Sequence, residues 1–328
     1  MHALQRARPG RTIRGNPEAP PGCYLCRMTT DFVSPSPVTS PATCRPTAAS
    51  VLALTFLACS VAAAQPQANS PALVEEVPFI VSPDNVTLEM LRIASVGAKD
   101  HVIDLGSGDG RIVTTAAKRF GATGLGVEID PSLVEKSRKI AAEAGVADKV
   151  EFRIQDLFAT DLSKATVITM YLLPEFNLRL RPAILALKPG TRIVSHDWDM
   201  GDWKPDQTTV LPVPNKQVGR EKSSKVHFWT VPASVQGLWC GAGPLGSYHL
   251  QLSQKYQEVS GTIHRRESQW PINGRLAGAT FSTEETQVGS LVLERDGDSL
   301  RLVGGKGAVA LAKGTRFTAA KGGQCGKA

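Results

Sequence analysis

The apolar run from Val102 to Leu105 carries one carboxylate, Asp104, and leads straight into Gly106, Gly108 and Gly110, after which a helical pattern opens at Arg111. A second apolar run, Gly124 to Val127, ends at Glu128. Strand, glycine turn, helix and strand in this order make a parallel βαβ unit, whose ligands sit at the carboxyl ends of the strands. The glycines let the main chain approach a ligand where a Cβ would collide with it. Glu128 has the length and spacing to accept hydrogen bonds from two ribose hydroxyls. A nicotinamide fingerprint would place its third glycine where Arg111 stands, and Asp104 would repel a pyrophosphate. The charge pattern therefore favours a cationic, ribose-bearing cofactor.

The same alternation continues along the chain. Ser82 is expected as a helix N-cap with Pro83 at N1, and Val86, Met90, Leu91 and Ile93 form the apolar face that follows. Strands are expected over 101–105, 124–129, 150–154, 165–172 and 191–196, with helices over 111–119, 131–145 and 175–187. Two later β-rich runs, 208–213 and 225–231, read as an antiparallel closing pair. This predicts a doubly wound α/β domain over residues 78–233 with right-handed crossovers. From residue 234 the character changes: residues 234–328 hold 16 of the 30 glycines, and short β-type runs recur, with Asp296-Gly297 as a hairpin signal. A small all-β barrel or sandwich of roughly six to eight strands is expected there.

Residues 1–64 are read as an N-terminal extension and signal peptide, and 65–77 as a linker. The stretch from Ala48 to Ala64 is uncharged, follows Arg45 and ends in three alanines, which fits a cleavable export signal. The alternative is an uncleaved anchor holding a cytoplasmic catalytic domain at the membrane. Met28 offers a second start. Cleavage after Ala64 would leave two cysteines, Cys240 and Cys325, suited to a disulfide in an oxidising compartment.

The net charge of +7 is unevenly spread, and residues 65–234 hold 20 Lys+Arg against 21 Asp+Glu. A near-neutral unit disfavours nucleic acid as a partner, because phosphate neutralisation dominates such binding. No metal-ligand set is expected: Cys23 and Cys26 lack a second pair, and His196 with Asp197 lacks further ligands.

Asp104 through Gly110, Glu128, and the Gln155-Asp156-Leu157 segment together resemble the class I S-adenosylmethionine (SAM)-dependent methyltransferases over about residues 78–231. That resemblance implies SAM as cofactor. It places the methionine portion against Asp104, Gly106, Gly108 and Gly110, the ribose on Glu128, and the adenine amino group on Asp156. Pro78-Phe79, Ser82-Pro83, the segment from Asp104 to Val113, and the segment from Tyr171 to Glu175 are similar to a narrower family. Its members are protein-lysine methyltransferases that modify the ATP synthase c subunit and the adenine nucleotide translocase. The Asn-Pro-Pro-Tyr motif of amide and adenine N-methyltransferases is replaced here by Tyr171 to Glu175, which argues against those acceptors.

A lysine acceptor, with an unperturbed pKa of about 10.4, must arrive neutral, which an apolar slot favours. The catalytic candidates are Tyr171 and Glu175 after the fourth strand and Asp197 after the fifth, with His196 and Asp199 beside them and Trp198 and Trp203 as walls. The expected activity is N-methylation of a protein lysine. The alternatives are a small-molecule O- or N-methyltransferase, and a non-catalytic exported binding protein on a methyltransferase scaffold.

Overall fold

A computed structural model describes residues 80–325 except 218 and 288. The export segment, the linker, Pro78-Phe79 and four of the six cysteines lie outside the described residues.

Five parallel strands form the centre of a seven-stranded sheet in the order β3-β2-β1-β4-β5-β7-β6. They are β1 (His101–Leu105), β2 (Thr123–Glu128), β3 (Val150–Ile154), β4 (Val167–Met170) and β5 (Arg192–His196). Strands β6 (Gln207–Pro212) and β7 (Ser223–Thr230) close the sheet in antiparallel fashion, β7 lying beside β5. All four residues of β4 are buried, as are four of five in β1 and in β5, because helices cover both faces of the central strands. Helices α1 (Asp84–Ile93) and α2 (Arg111–Phe120) bury Val86, Met90, Leu91, Ile112 and Ala116 against Val102 and Val194. Helix α4 (Pro174–Leu185) contributes Leu180 and Ile184 to the core that holds Leu105 and Met170.

Local chemistry explains the helix starts. Asp130 caps α3 (Pro131–Glu143), accepting a hydrogen bond from the Ser132 amide at 2.8 Å, with Pro131 at the first helical position. The start of α1 departs from expectation. Pro83 occupies the cap position, and the buried Ser82 hydroxyl pairs with His196 Nδ1 at 2.9 Å. A buried imidazole nitrogen competes for that hydroxyl more strongly than a helix end whose amides water can reach.

Eight antiparallel strands, β8 (Gly237–Gly241) to β15 (Arg316–Ala319), close into a barrel in which β8 joins both β9 (Tyr248–Lys255) and β15. Its interior is filled by Trp239, Leu250, Ile263, Phe281, Leu300 and Phe317, each at most 2% exposed. Closure decides between the expected barrel and sandwich. A disulfide links Cys240 on β8 to Cys325 after β15. Strands β8, β11 (Ser268–Ala277) and β15 escape the sequence reading because they are glycine-bearing, proline-bearing or short, and take their order from neighbouring strands.

The barrel is seated on the α/β sheet through Trp203, whose side chain is fully buried. Its indole N–H donates to Gln257 Oε1 at 2.8 Å, Gln257 donates onward to the Lys204 carbonyl at 2.6 Å, and the Tyr256 ring lies 5.9 Å away. Trp203 is thus a seam residue and not a wall of the cofactor slot.

Candidate active site

At the carboxyl ends of the parallel strands lies a cavity of about 1320 Å³. Its floor is the turn after β1. The Gly106 and Ser107 amides both donate to the Val127 carbonyl, at 3.0 and 2.9 Å, so the glycine loop is pinned to β2. The Gly108 amide donates to Glu128 Oε2 at 2.9 Å, while the Ile129 and Asp130 amides hold Glu128 Oε1 at 2.8 and 3.2 Å. The carboxylate is therefore fixed by three main-chain amides.

Asp104 lines the cavity yet is only 2% exposed, and its carboxylate accepts from Thr169 Oγ1 at 2.6 Å. Burial pushes its pKa up to about 7; the Thr169 hydrogen bond opposes this, and the neighbouring Glu128 and Asp109 carboxylates add to it. Asp156 lines the same cavity as the cap of a short turn, Leu157–Ala159, and accepts from the Phe158 amide at 2.8 Å.

Gly110 is placed differently from expectation. It is absent from the cavity lining, and a Cβ on it would lie 2.5 Å from the Phe152 ring at a φ of +73°. Its glycine serves the packing of α2 against β3 and the left-handed entry to the helix. Arg111, standing where a nicotinamide fingerprint would need glycine, grips Asp109 through two hydrogen bonds and reaches the Ser82 carbonyl at 3.1 Å. The loop is thereby tied to the segment that enters α1.

The opposite end of the cavity is built from Tyr171, Asp197, Trp198 and Lys216. Asp197 adopts a φ of +63°, a conformation Asp tolerates better than most side chains, just past the end of β5. Its carboxylate takes the Lys216 ammonium at 2.8 Å and the Lys225 amide at 2.9 Å, and lies 3.4 Å from the Tyr171 hydroxyl. Burial would raise this carboxyl, but the Lys216 and Lys225 hydrogen bonds, with the nearby positive charge, hold it below the usual carboxylate range. Burial, then the Asp197 charge, pushes Tyr171 up to about 12, so the phenol keeps its proton. The His196 ring packs on Tyr171 at 3.9 Å between centroids. Burial drives the imidazole well below its ordinary range; Asp197 opposes this and Lys216 reinforces it, so His196 is neutral near pH 7.

Two expected residues fall elsewhere. Glu175 is exposed in the first turn of α4 and does not line the cavity, as suits an acid placed at a helix N-terminus for its dipole; its neighbour Phe176 lines the cavity instead. Asp199 also stays out of the lining and accepts from the Gly201 amide at 2.9 Å. Lys216 went unnoticed in the sequence because nothing local marks it. It belongs to the β6–β7 connection and meets Asp197 only through the antiparallel pairing of β7 with β5.

The arrangement suits SAM on its own residues: buried acid for its cation, a fixed carboxylate for a diol, and a glycine turn between them. No group of three or more His, Cys, Asp or Glu able to hold a metal ion occurs among the described residues.

The family profile of the ANTKMT methyltransferase domain matches residues 104–207. A protein-lysine N-methyltransferase of Saccharolobus islandicus is 40% identical over 136 residues, 41% of this chain and 84% of that protein. The mouse lysine N-methyltransferase of the ATP synthase c subunit is 36% identical over 33% of this chain and 44% of its own length. The chain thus spans about half the length of the mammalian relatives of this kind that it matches. Among solved structures, an RNA methyltransferase from Salinibacter ruber in complex with S-adenosyl-L-homocysteine is 52% identical, with 48% of this chain and 96% of that chain covered and a TM-score of 0.43. With its cofactor cavity in place and a relative matched over most of its length, the chain belongs to the SAM-dependent methyltransferases, in the family of the lysine methyltransferases of the ATP synthase c subunit and the adenine nucleotide translocase.

Proposed function

We propose that this enzyme transfers a methyl group from SAM to the ε-amine of a lysine in a protein. The observation that carries the reading is one cavity with two unlike ends. Asp104, Glu128 and Asp156 stand at one end, and Tyr171, Asp197 and Lys216 at the other. SAM supplies a methyl group on a sulfonium, already electrophilic, so the protein's task is to position the amine and exclude water. The first three carboxylates hold the cofactor. At the far end Tyr171 keeps its proton, and Asp197 is neutralised by Lys216, so neither group holds an incoming lysine as ammonium.

The test is label transfer. Full-length protein incubated with methyl-labelled SAM and cell extract should yield ε-N-methyllysine on acid hydrolysis of the protein fraction. Label found in RNA or in small molecules, with none in protein, would overturn the reading.

We also place the catalytic half in an oxidising compartment, reached through the uncharged stretch from Ala48 to Ala64. The Cys240–Cys325 disulfide supports this placement. Protein from its native compartment should be two mass units lighter than the reduced form. Two alkylatable thiols at Cys240 and Cys325 would instead favour the anchored arrangement with a cytoplasmic catalytic half.

A further inference from the structure

A second pocket, of about 440 Å³, abuts the cofactor cavity and shares Tyr171 and Lys216 with it. It runs between the start of α1 and the β6–β7 connection, and Asn85 of α1 donates to the carbonyl of Pro212 at the end of β6 at 3.0 Å. Its sleeve is apolar, built from Val81, Pro83, Val213 and Pro214, and its outer rim carries the exposed amides Asn215 and Gln217.

Two of its lining side chains carry polar atoms without a hydrogen-bond partner among the described residues: His196 Nε2 and Ser224 Oγ. Both side chains are buried, at 1% exposure each. His196 Nε2 lies 3.5 Å from Asp197 Oδ2 without bonding to it, whereas Nδ1 is engaged by Ser82. Buried polar atoms are almost always paired, and two orphans on one small pocket mark a place built for a polar guest.

We propose that this pocket is the acceptor channel: the lysine side chain enters along the apolar sleeve, and its amine donates hydrogen bonds to Ser224 Oγ and to His196 Nε2, the imidazole holding its proton on Nδ1 and donating it to Ser82 Oγ. The inference rests on the protein-lysine reading. A neutral amine has two N–H bonds and one lone pair, so two fixed acceptors aim the lone pair toward Tyr171 and the cofactor beyond. The lysine nitrogen then forms the new N–C bond while the methyl group's bond to sulfur breaks. The electron pair stays on sulfur, leaving a neutral thioether and a methylammonium that gives its proton to solvent. The apolar sleeve disfavours a cation and so favours the neutral amine, as with other desolvated lysines.

The experiment measures binding to the full-length protein by calorimetry. The probe is S-adenosylhomocysteine in which nitrogen replaces sulfur and bears an alkyl chain with a secondary amine at the lysine-nitrogen position. A matching ether is the control. The amine probe should bind at least tenfold more tightly than S-adenosylhomocysteine, and the ether less tightly than the amine. Asn215→Trp at the rim should abolish the gain while leaving S-adenosylhomocysteine affinity unchanged. Ser224→Ala should lower the gain several-fold without loss of thermal stability, because its hydroxyl has no partner among the described residues to lose. His196→Asn, which keeps a group at the Nδ1 position, should lose most of the gain. His196→Gln, which keeps one near Nε2, should restore it. No gain over S-adenosylhomocysteine, or a gain that survives Asn215→Trp, overturns the channel. An ether that binds as well as the amine, with the gain still lost in Asn215→Trp, keeps the channel and refutes the lysine reading.

Discussion

The α/β half and the barrel spend their interiors in opposite ways. The barrel core is apolar, and only Gln257 and Ser299 among its described polar residues are buried; Gln257 belongs to the seam. The α/β half buries Asp104, Asp109, Asn177, His196 and His227, and leaves polar atoms such as His196 Nε2 unpaired. A closed, apolar barrel is optimised for staying folded. A sheet edge that buries a carboxylate at a pKa of about 7 gives up stability. The difference teaches where substitutions should strike activity and where they should strike only the fold.

The largest expected effect is in the barrel. Phe317→Ala, at a fully buried site, should cost about 3–5 kcal/mol of stability by chemical denaturation. The folded fraction should keep its SAM affinity. A large loss of affinity at unchanged foldedness would show that the barrel contributes to the site and dissolve the contrast.

Asp104→Asn should act in reverse. It keeps the shape and a partner for Thr169 but removes the charge, lowering SAM affinity by roughly 30–150-fold, the worth of about 2–3 kcal/mol for a charged hydrogen bond. In the unsubstituted enzyme SAM affinity should rise as pH climbs toward 7, since the cation prefers the ionised carboxylate, and then level off. The stability sign is the opposite. The folded pKa exceeds the unfolded one, so the contribution of Asp104 is fully present below about pH 4 and is lost as pH rises through 7. Asp104→Asn should therefore be relatively more stable at pH 8 than at pH 5, and a flat difference across that range would show Asp104 to be ionised throughout.

The seam comes next. Gln257→Leu strands the Trp203 N–H and the Lys204 carbonyl and should cost about 1–3 kcal/mol. Differential scanning should split one unfolding transition toward two if the halves are cooperative only through this contact. A single unshifted transition would show that the seam carries no energy.

Smallest is Glu175→Ala. An exposed acid in the first turn of α4 should contribute about 0.3–1 kcal/mol through the helix dipole, with no change in turnover. A tenfold fall in turnover would restore Glu175 to the catalytic set.

How much of this was legible beforehand follows the range of the interactions involved. The strand–glycine–helix unit, Glu128 and Asp156 could be read because their placement is local: each sits within a few residues of a strand end, and a parallel sheet brings those ends to one edge. Tyr171 and Asp197 reach the cavity lining by the same rule. Glu175 obeyed the rule and still missed the cavity, because helical rotation directs it outward while Phe176 lines the cavity. Gly110 belongs to the same glycine run, but its space faces the Phe152 ring. Whether its missing Cβ makes room for a ligand or for the Phe152 ring depends on β3, forty residues on in the chain.

The sequence by itself determined the order of elements, the acidic cofactor edge and the change to β-structure near residue 234, since these rest on periodicity, turn chemistry and spacing along the chain. Only the tertiary structure decided that Ser82 serves His196 and not a helix end, that Trp203 joins the two halves, and that Lys216 neutralises Asp197. Each of those contacts spans from nineteen to more than a hundred residues. Such pairings are selected by which buried polar groups must find partners once the sheet has assembled, and no pattern within one segment records that choice.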